Sequence, residues 1–410
     1  MENLQPKLRF PEFKDVWGSS LLGKLIEIKG RIGYRGYTVN DIVSKDEGAL
    51  AMSPSNISER GKLKFNNNTY ISWFKYDESP EIQLENGYTL LVKTGSSYGK
   101  SALIENLNLK ATINPQLVVL KPINIESKFL SIIISNNKVQ KQIAQKIVGG
   151  TIPTLSQESI SNFKISYPTL EEQTKIADFL GAVDKQLDIL NQKKEKLNTY
   201  KKGVMQQLFS QQIRFKDDNG NDFPDWEEKT LGEVGVFYSG TGFNEKEQGG
   251  KVGIPFIKVS DMNLVGNEIL IKSANNYVTN NQIDRNNYKI IKVPTILFAK
   301  VGAAIYLERK RIGENLIIDN NMMGFSPNGN IMYYYYMFQN IRLSKYAQNG
   351  ALPSYNSKDI GKIQVNIPSI EEQTKIANFL SAIDNQIQAV ENQITKTETY
   401  KKGLLQQMFV

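Results

Sequence analysis

Arginine, tyrosine and glycine are packed together in one short stretch near the start of the chain. The run GRIGYRGYTVND begins at Gly30 and contains Arg31, Tyr34, Arg35 and Tyr37. Arginine forms paired hydrogen bonds with guanine or phosphate, tyrosine can stack or donate, and glycine lets a backbone approach closely. The stretch therefore predicts a nucleic-acid-binding loop, and a solvated turn is the alternative.

Polar and basic side chains also follow several predicted strands. The runs LLVKTGSSYGKS, IPFIKVSDMN and ILFAKVGAAIYLERKR each pass from apolar residues into such a loop. Hydroxyl groups and lysines at the end of a strand suit the positioning of phosphates, although an ordinary turn after a buried strand would look the same. We predict DNA contacts by Lys93, Ser96, Ser97, Tyr98 and Lys100 in the first half of the chain, and by Lys246, Lys251, Lys258, Ser260, Asp261, Lys300, Arg309, Lys310 and Arg311 in the second.

The chain of 410 residues has no histidine and no cysteine, which excludes several classes of catalytic and metal site. It cannot build a Ser-His-Asp or Cys-His nucleophile, a zinc finger or a disulfide. Three short runs resemble catalytic motifs but are incomplete. GSSYGKS at Gly95 is one residue short of a P-loop, and NPQL at Asn114 lacks the second proline and the aromatic residue of a DNA amino-methyltransferase loop. Pro224-Asp225 lies too close to Glu227 for the metal site of a metal-dependent nuclease. We predict no catalytic residue, no metal site and no cofactor in this chain.

Composition describes an ordinary globular protein with a basic balance. Fifty lysines and arginines against 42 acidic residues give a net charge of +8, which suits a polyanionic partner. The length predicts two or three domains. No run of 18 apolar residues occurs, and the first residues lack the apolar segment of a signal peptide. We therefore expect a cytoplasmic protein without a membrane partner.

The candidate loops are framed by a long helix that is written twice. The segment that begins EEQTKIA at Glu171 returns as EEQTKIA at Glu371, an offset of 371 − 171 = 200 residues. Both copies end in TYKKG followed by QQ, and each starts after a proline and a capping-type residue, Thr169 or Ser369. Glu172 and Glu372 stand three residues after these caps and predict a capping box. One fixed offset indicates an internal duplication.

Apolar residues recur every seventh position in both copies, except at Thr397 in the second, and this pattern predicts a left-handed coiled-coil seam. About 40 helical residues would make a rod of roughly 60 Å. The predicted seam residues are Ile176, Phe179, Leu180, Val183, Leu187, Leu190, Leu197, Tyr200 and Val204 in the first copy, and Ile376, Phe379, Leu380, Ile383, Ile387, Val390, Ile394, Tyr400 and Leu404 in the second.

The duplication extends beyond the helices. Related lead-ins begin at Gly149 and Asn349, and Trp17 with Leu22-Gly23 matches Trp226 with Leu231-Gly232. Between these borders the two globular segments diverge and mix strand-type with helix-type runs. We predict an α+β fold with a pseudo-two-fold internal repeat: mixed domains at 1–168 and 212–367, and helical spacers at 169–211 and 368–410.

These repeated motifs resemble the DNA specificity subunit of type I restriction-modification systems. The resemblance covers P-x-x-EEQ-x-x-IA-x-FL, TYKKG-x-x-QQ-x-F, the lead-ins and the Trp…LG openings, in order and across essentially the whole chain. It implies two target recognition domains that each read half of a bipartite, asymmetric DNA sequence. It also implies that the long helices pack antiparallel and fix the unread gap between the halves.

The resemblance further implies a complex with double-stranded DNA, two methyltransferase subunits and two restriction subunits. Those partners would hold S-adenosylmethionine, ATP and magnesium, while this chain would be non-catalytic. Two other hypotheses stay open at this point. A stand-alone DNA-bridging or regulatory protein could use the helices as a dimerising seam, and a metal-dependent nuclease could use scattered carboxylates.

Overall fold

A computed structural model describes residues 5–146, 154–348 and 352–410, apart from the side chain of Tyr34. The predicted lead-ins at Gly149 and Asn349 begin outside the described residues. The chain forms two compact units: unit 1 is Met1–Leu190 with Gln393–Val410, and unit 2 is Asn191–Asn392. Each unit therefore contains one globular domain and parts of both long helices.

The described residues of unit 1 form three β-sheets and a cluster of helices. Its strands are β1 (Gly18–Leu21), β2 (Ile26–Gly30), β3 (Ile42–Val43), β4 (Gly48–Met52), β5 (Thr69–Ser72), β6 (Thr89–Val92), β7 (Ser101–Leu103), β8 (Ala111–Ile113), β9 (Leu117–Pro122) and β10 (Lys164–Tyr167). Its helices are α1 (Trp73–Asp77), α2 (Ser127–Ser135), α3 (Asn137–Gln145), α4 (Gln157–Ser161) and the first part of α5 (Leu170–Phe209).

The central sheet of unit 1 has the order β2-β9-β6-β7, and a second sheet has the order β3-β5-β4-β8. Strand β9 is apolar along its buried length because both faces of the central sheet are covered. Val118 and Leu120 belong to a core shared with α2, α3 and the long helices, while Leu117 and Val119 belong to a core shared with the second sheet. Side chains alternate between the two faces of a strand, so one strand serves both cores.

Unit 2 repeats this plan. Its strands are β11 (Glu227–Thr230), β12 (Gly235–Ser239), β13 (Ile254–Ile257), β14 (Tyr277–Val278), β15 (Thr295–Ala299), β16 (Lys310–Gly313), β17 (Ile317–Ile318), β18 (Met322–Pro327) and β19 (Gln364–Ile367). Its helices are α6 (Asn280–Asn286), α7 (Ile331–Asn340), α8 (Ser357–Gly361) and the first part of α9 (Ile370–Gln407). The central sheet has the order β12-β18-β15-β16. The smaller sheet contains one parallel pair, β13 with β17, as the second sheet of unit 1 contains β4 with β8.

The predicted fold class is confirmed: two mixed domains carry two long helices. In unit 2 the helices run antiparallel, because Lys194 pairs with Glu391 at 2.8 Å and Lys201 with Asp384 at 2.5 Å, so the partner number falls as the other rises. Unit 1 contains the matching pair, Asp184 with Lys401 at 2.6 Å. A shift of 200 residues converts one pair into the other.

The helix seam differs from the prediction at two residues. Tyr200 and Tyr400 are 53% and 54% exposed, whereas the other predicted seam residues are buried or half-buried. The reason is the heptad register. Lys201 lies four residues after Leu197 and takes the next seam position. Lys201 and its counterpart Lys401 point toward the facing helix and form ion pairs there. The adjacent tyrosines therefore lie on the outer surface.

The predicted capping box forms only in part. The hydroxyl of Thr169 accepts from the Glu172 backbone N–H at 3.4 Å, and Ser369 accepts from that of Glu372 at 3.3 Å. The glutamate side chains, however, do not return to the cap. They are buried, 1% and 0% exposed, and bind residues from the beginning of each domain.

Each buried glutamate accepts hydrogen bonds from an arginine and a tryptophan. Glu172 accepts from Arg9 at 2.8 and 2.7 Å and from Trp17 Nε1 at 3.4 Å. Glu372 accepts from Arg214 at 3.2 and 2.8 Å, and from Trp226 Nε1 at 3.0 Å. The hydrogen bonds to the carboxylates raise the pKa of both arginines. The start of each long helix is thus fixed to the start of its domain.

We predict that Glu372→Ala lowers the free energy of unfolding by about 2–4 kcal/mol, because it removes the buried carboxylate that accepts from both Arg214 and Trp226. Glu371→Ala is the matched control, because the carboxylate of Glu371 is exposed. This substitution should change the free energy of unfolding by less than about 0.5 kcal/mol. Denaturant unfolding monitored by circular dichroism measures both. Equal losses in the two variants would contradict a structural role for the buried carboxylate.

Candidate nucleic-acid interface

The loops predicted to bind DNA in unit 1 meet at one end of the central sheet. Gly30 at the end of β2 pairs with Val118, and Val92 at the end of β6 pairs with Leu117 at the start of β9. The Asn114 backbone N–H donates to Met52 at 2.8 Å, which brings the end of β4 to the same place. We call the loops 31–41, 53–56, 93–100 and 114–116 the first loop end.

Arg31 holds the first loop end together from inside. It is 6% exposed, and its guanidinium donates to the Ile113 carbonyl at 2.9 Å, the Thr112 hydroxyl at 3.1 Å and the Arg35 carbonyl at 3.2 Å. It also lies 5.4 Å from the centre of the Tyr37 ring, and burial lowers its pKa. In this conformation the Arg31 guanidinium is bonded within the domain and supports the loop from inside.

The other candidates of the first loop end differ in how accessible they are. Ser96 is exposed, whereas Arg35, Tyr37, Lys93, Ser97, Tyr98 and Lys100 are half-buried. Arg35 pairs with Glu81 at 3.5 Å, and Lys100 pairs with Glu59. The Tyr98 hydroxyl is buried without a hydrogen-bond partner. The side chain of Tyr34 lies outside the described part of the structure.

Unit 2 gathers its predicted loops in the same way. Ser239 at the end of β12 pairs with Met323, and Ala299 at the end of β15 pairs with Met322. The Asp319 backbone N–H donates to the Ile257 carbonyl at 2.9 Å and so adds the end of β13. We call the loops 240–251, 258–263, 300–309 and 319–321 the second loop end.

Three candidates in unit 2 are held inside the domain. Asp261 is fully buried and accepts from the Lys258 backbone at 2.7 Å and from the Asn275 side chain at 2.6 Å. Lys310 is 2% exposed and bonded to Glu308 at 2.6 Å, and burial lowers its pKa. Arg311 donates to the Met262 carbonyl at 3.0 Å. These side chains organise loops in the described conformation, and a DNA contact would require each to leave its partners.

The remaining candidates of unit 2 are accessible. Lys246, Lys251 and Ser260 are exposed, and Lys258, Lys300 and Arg309 are half-buried. Lys258 donates to Gln248 at 3.1 Å, which joins the loop after β13 to the loop after β12. Within the described residues no cluster of three or more potential metal ligands occurs, and no helix there is long and apolar enough to span a bilayer.

The two loop ends share one pattern of hydrogen bonds around the strand ends, which we call the frame, but they carry different side chains. Lys93 N–H donates to Gln116 at 2.8 Å, and Lys300 N–H donates to Asn321 at 2.9 Å. The turns before β9 and β18 are closed alike: Asn114 Oδ1 accepts from Gln116 N–H at 3.0 Å, and Asp319 Oδ1 from Asn321 N–H at 2.8 Å.

Sequence reasoning missed one loop of this frame. The counterpart of Lys258 to Asp261 in unit 2 is the turn from Ser53 to Asn56 in unit 1, and both turns have the geometry of a capping box. Ser53 and Ser55 carry hydroxyls 2.6 Å apart at the first loop end. The signal was present as a second offset of 258 − 53 = 205 residues between MSPSN and IKVSD.

Comparison with known proteins agrees with this architecture. The type I restriction modification DNA specificity domain matches the chain twice, at residues 34–199 and 224–398. The MjaVIII type I restriction enzyme specificity subunit of Methanocaldococcus jannaschii is 26% identical over 79% of this chain and 79% of its own length. The EcoR124I/EcoR124II specificity subunit of Escherichia coli is 26% identical over 52% of this chain and 51% of its own length.

Two solved structures share the fold. The S subunit of a type I restriction-modification system from M. genitalium has a TM-score of 0.57 and 16% identity, with 99% of both chains covered. A chain from a study of complex assembly and conformational transition of the type I R-M system has a TM-score of 0.56 and 16% identity, with 95% of both chains covered. With two matched domains that together span most of its length, the chain belongs to the family of type I restriction-modification DNA specificity subunits.

Proposed function

We propose that this specificity subunit reads a bipartite, asymmetric DNA target, with one half-site at each loop end. One observation carries the proposal: the two loop ends have the same hydrogen-bonded frame, but the side chains on that frame differ. Asn114 and Gln116 in unit 1 stand where Asp319 and Asn321 stand in unit 2. A shared frame with different polar groups gives two related surfaces with different preferences for base edges.

The accessible basic residues of each loop end supply the positioning contacts in this proposal. Lys93 follows β6 and Lys300 follows β15, at the same point of the two frames. Lysines bind phosphates as point charges, which fixes the register of a protein on DNA without selecting a base. Hydroxyl and amide groups of the neighbouring turns would then select the bases. Arg31, Asp261 and Lys310 support these loops from inside.

The long helices set the distance between the two half-sites in the proposed complex. A helix grows by 1.5 Å for each residue, so the length of the paired helices determines how many base pairs remain unread. We propose that two methyltransferase subunits and two restriction subunits assemble on this chain in the cytoplasm. S-adenosylmethionine, ATP and magnesium would be bound by those partners, and this chain would direct adenine methylation and restriction without a catalytic residue of its own.

Sequencing of methylated adenines in the host tests the proposal. We expect one split motif, with two defined halves around a gap of fixed length, that disappears when the gene is deleted and returns on complementation. The matched control is deletion of an unrelated gene with the methyltransferase subunit still expressed. An unchanged methylome after deletion, while the methyltransferase subunit is present, would overturn the proposal.

We predict that Lys93→Ala and Lys300→Ala each weaken DNA binding by roughly three- to tenfold and lower the salt slope of the affinity by about one. Each variant removes one phosphate contact and leaves the motif unchanged. Lys121→Ala is the control, because Lys121 is also half-buried but lies near the opposite end of β9.

Arg31→Ala separates loop support from DNA contact. It is expected to lower the free energy of unfolding by about 1–3 kcal/mol, because it leaves buried acceptors without a donor.

If Lys93→Ala and Lys300→Ala bind DNA as the wild-type chain does, the loop ends are not the DNA-binding surfaces.

A further inference from the structure

A short hairpin in unit 1 carries charged residues at its tip. Ile57 bridges to Leu63, and the Ser58 backbone N–H donates to the Lys62 carbonyl at 2.9 Å. We call residues 57–63 the charged hairpin. Ile57 is buried in a hydrophobic core, and Leu63 packs against the same core. Backbone bonds and apolar contacts therefore hold the hairpin together without help from its charged side chains.

The tip of the charged hairpin reaches both long helices. Lys62 pairs with Asp188 of α5, and the Arg60 guanidinium lies 3.4 Å from the Glu398 carboxylate of α9. Asp188 and Glu398 both belong to unit 1. One small segment of the globular domain is thus joined to two helices at once, which fixes its direction more firmly than a single pair would.

A third charged residue of the tip faces the first loop end. Glu59 pairs with Lys100, and the hydrogen bond from Lys100 lowers the pKa of the Glu59 carboxyl. Lys100 lies in the loop 93–100, for which we predict DNA contacts. The charged hairpin therefore lies between a predicted DNA-binding loop and the paired helices.

Unit 2 has the corresponding turn without the charges. The offset that relates Ser53 to Lys258 continues to Gly61 and Gly266, because 266 − 61 = 205. Both glycines have a positive φ, 69° and 95°, so the two tips turn alike. The uncharged Leu264, Val265 and Asn267 stand on this offset where unit 1 has Glu59, Arg60 and Lys62.

The helix residues that face the charged hairpin differ between the repeats in the same way. The offset of 200 residues relates Asp188 to Gln388, and Glu398 to Asn198. The side-chain amides of Gln388 and Asn198 donate to acceptors within their own helices. Charge is therefore present on both sides of the contact in unit 1 and on neither side in unit 2. This joint change indicates that the charges of unit 1 serve the contact between hairpin and helices.

Two weak ion pairs are sufficient to position the hairpin when they act together. The four side chains are 38–54% exposed, and an exposed ion pair shifts an equilibrium by less than about fivefold. The effects of independent pairs multiply, so together they favour the docked hairpin by up to about 25-fold. Salt screens exposed charges and will release such a contact.

We propose that Arg60 and Lys62 are positioning residues, which hold the globular domain of unit 1 in one orientation on the paired helices. The corresponding described residues of unit 2 are uncharged and supply no such link. The consequence for DNA rests on the proposed function: a domain held in one orientation reads its half-site at one distance along the helices. When the link is removed, the domain takes several orientations, and the gap between the half-sites is less strictly fixed.

Distances between two spin labels measure the docking directly. The chain has no cysteine of its own, so labels at the exposed positions Lys64→Cys and Lys185→Cys are the only ones in the full chain. We expect one narrow distance distribution. It should broaden toward longer distances when Asp188→Asn and Glu398→Gln are combined, because both acceptor charges are then lost. Raising the salt from about 0.1 to about 1 M should broaden it as well, since the screening length falls from about 10 to about 3 Å.

Matched variants separate the ion pairs from general effects on folding. Gln388→Ala combined with Asn198→Ala changes the corresponding positions of unit 2 and should leave the distribution narrow. Lys62→Asp should broaden it, and addition of Asp188→Lys should make it narrow again, because the pair is restored with its charges exchanged. Circular dichroism reports whether each variant folds.

Sequencing of methylated adenines then tests the consequence for DNA. With Asp188→Asn and Glu398→Gln combined, we expect both half-sites to stay the same while sites whose gap differs by about one base pair are methylated too, because this shift is only about 3.4 Å. A distribution that stays narrow in this variant would overturn the inference, as would exchanged charges that restore nothing. Broader distances with the original gap alone would overturn the positioning role. If the distances change as expected but no split motif exists even with the wild-type chain, the proposed function fails and the docked hairpin stands.

Discussion

Each globular domain completes its hydrophobic core with the end of a long helix from the other repeat. In unit 1 the ring of Trp17 packs 6.3 Å from Phe129 and 6.1 Å from Phe409, which follows the end of α9. In unit 2 Phe209 at the end of α5 packs 5.7 Å from Tyr333. Trp17 and Phe409, from opposite ends of the sequence, therefore belong to one unit, and antiparallel helix packing is the constraint under which both domains form.

This constraint explains why some parts of the repeat are kept and others diverge. The buried carboxylates, the ion pairs at Lys201 and Lys401 and the apolar seam are needed by both units and occur twice. The accessible side chains of the loop ends, such as Ser96, Lys246 and Lys251, lie on the surface, whereas the turns that carry them are held by backbone bonds and by inner side chains such as Arg31 and Asp261. A specificity subunit can therefore vary its exposed polar residues there with little loss of stability, and the family's DNA-reading role fits that freedom.

The two long helices could be predicted from the sequence because a heptad repeat and its capping residues lie within one continuous segment. Contacts between distant segments were harder to foresee. The burial of Arg31 could not be foreseen because its acceptor, Ile113, lies 82 residues away. Glu172 looked like a capping residue because Arg9 is 163 residues away. Tyr200 was assigned to the seam because Tyr200 and Lys201 both lie close to it in the heptad. The ion pair with Asp384 on the facing helix shows that Lys201 is the residue that points inward.

The length of the unread gap tests the role of the paired helices most directly. Seven residues inserted after Gln192 and seven after Asn392, positions 392 − 192 = 200 residues apart, leave the pairs Asp184–Lys401 and Lys201–Asp384 within their own units. The account predicts that the methylated motif keeps both half-sites while the gap grows by about three base pairs, since seven residues add roughly 10 Å. A variant complex that methylates DNA with the original gap would contradict it.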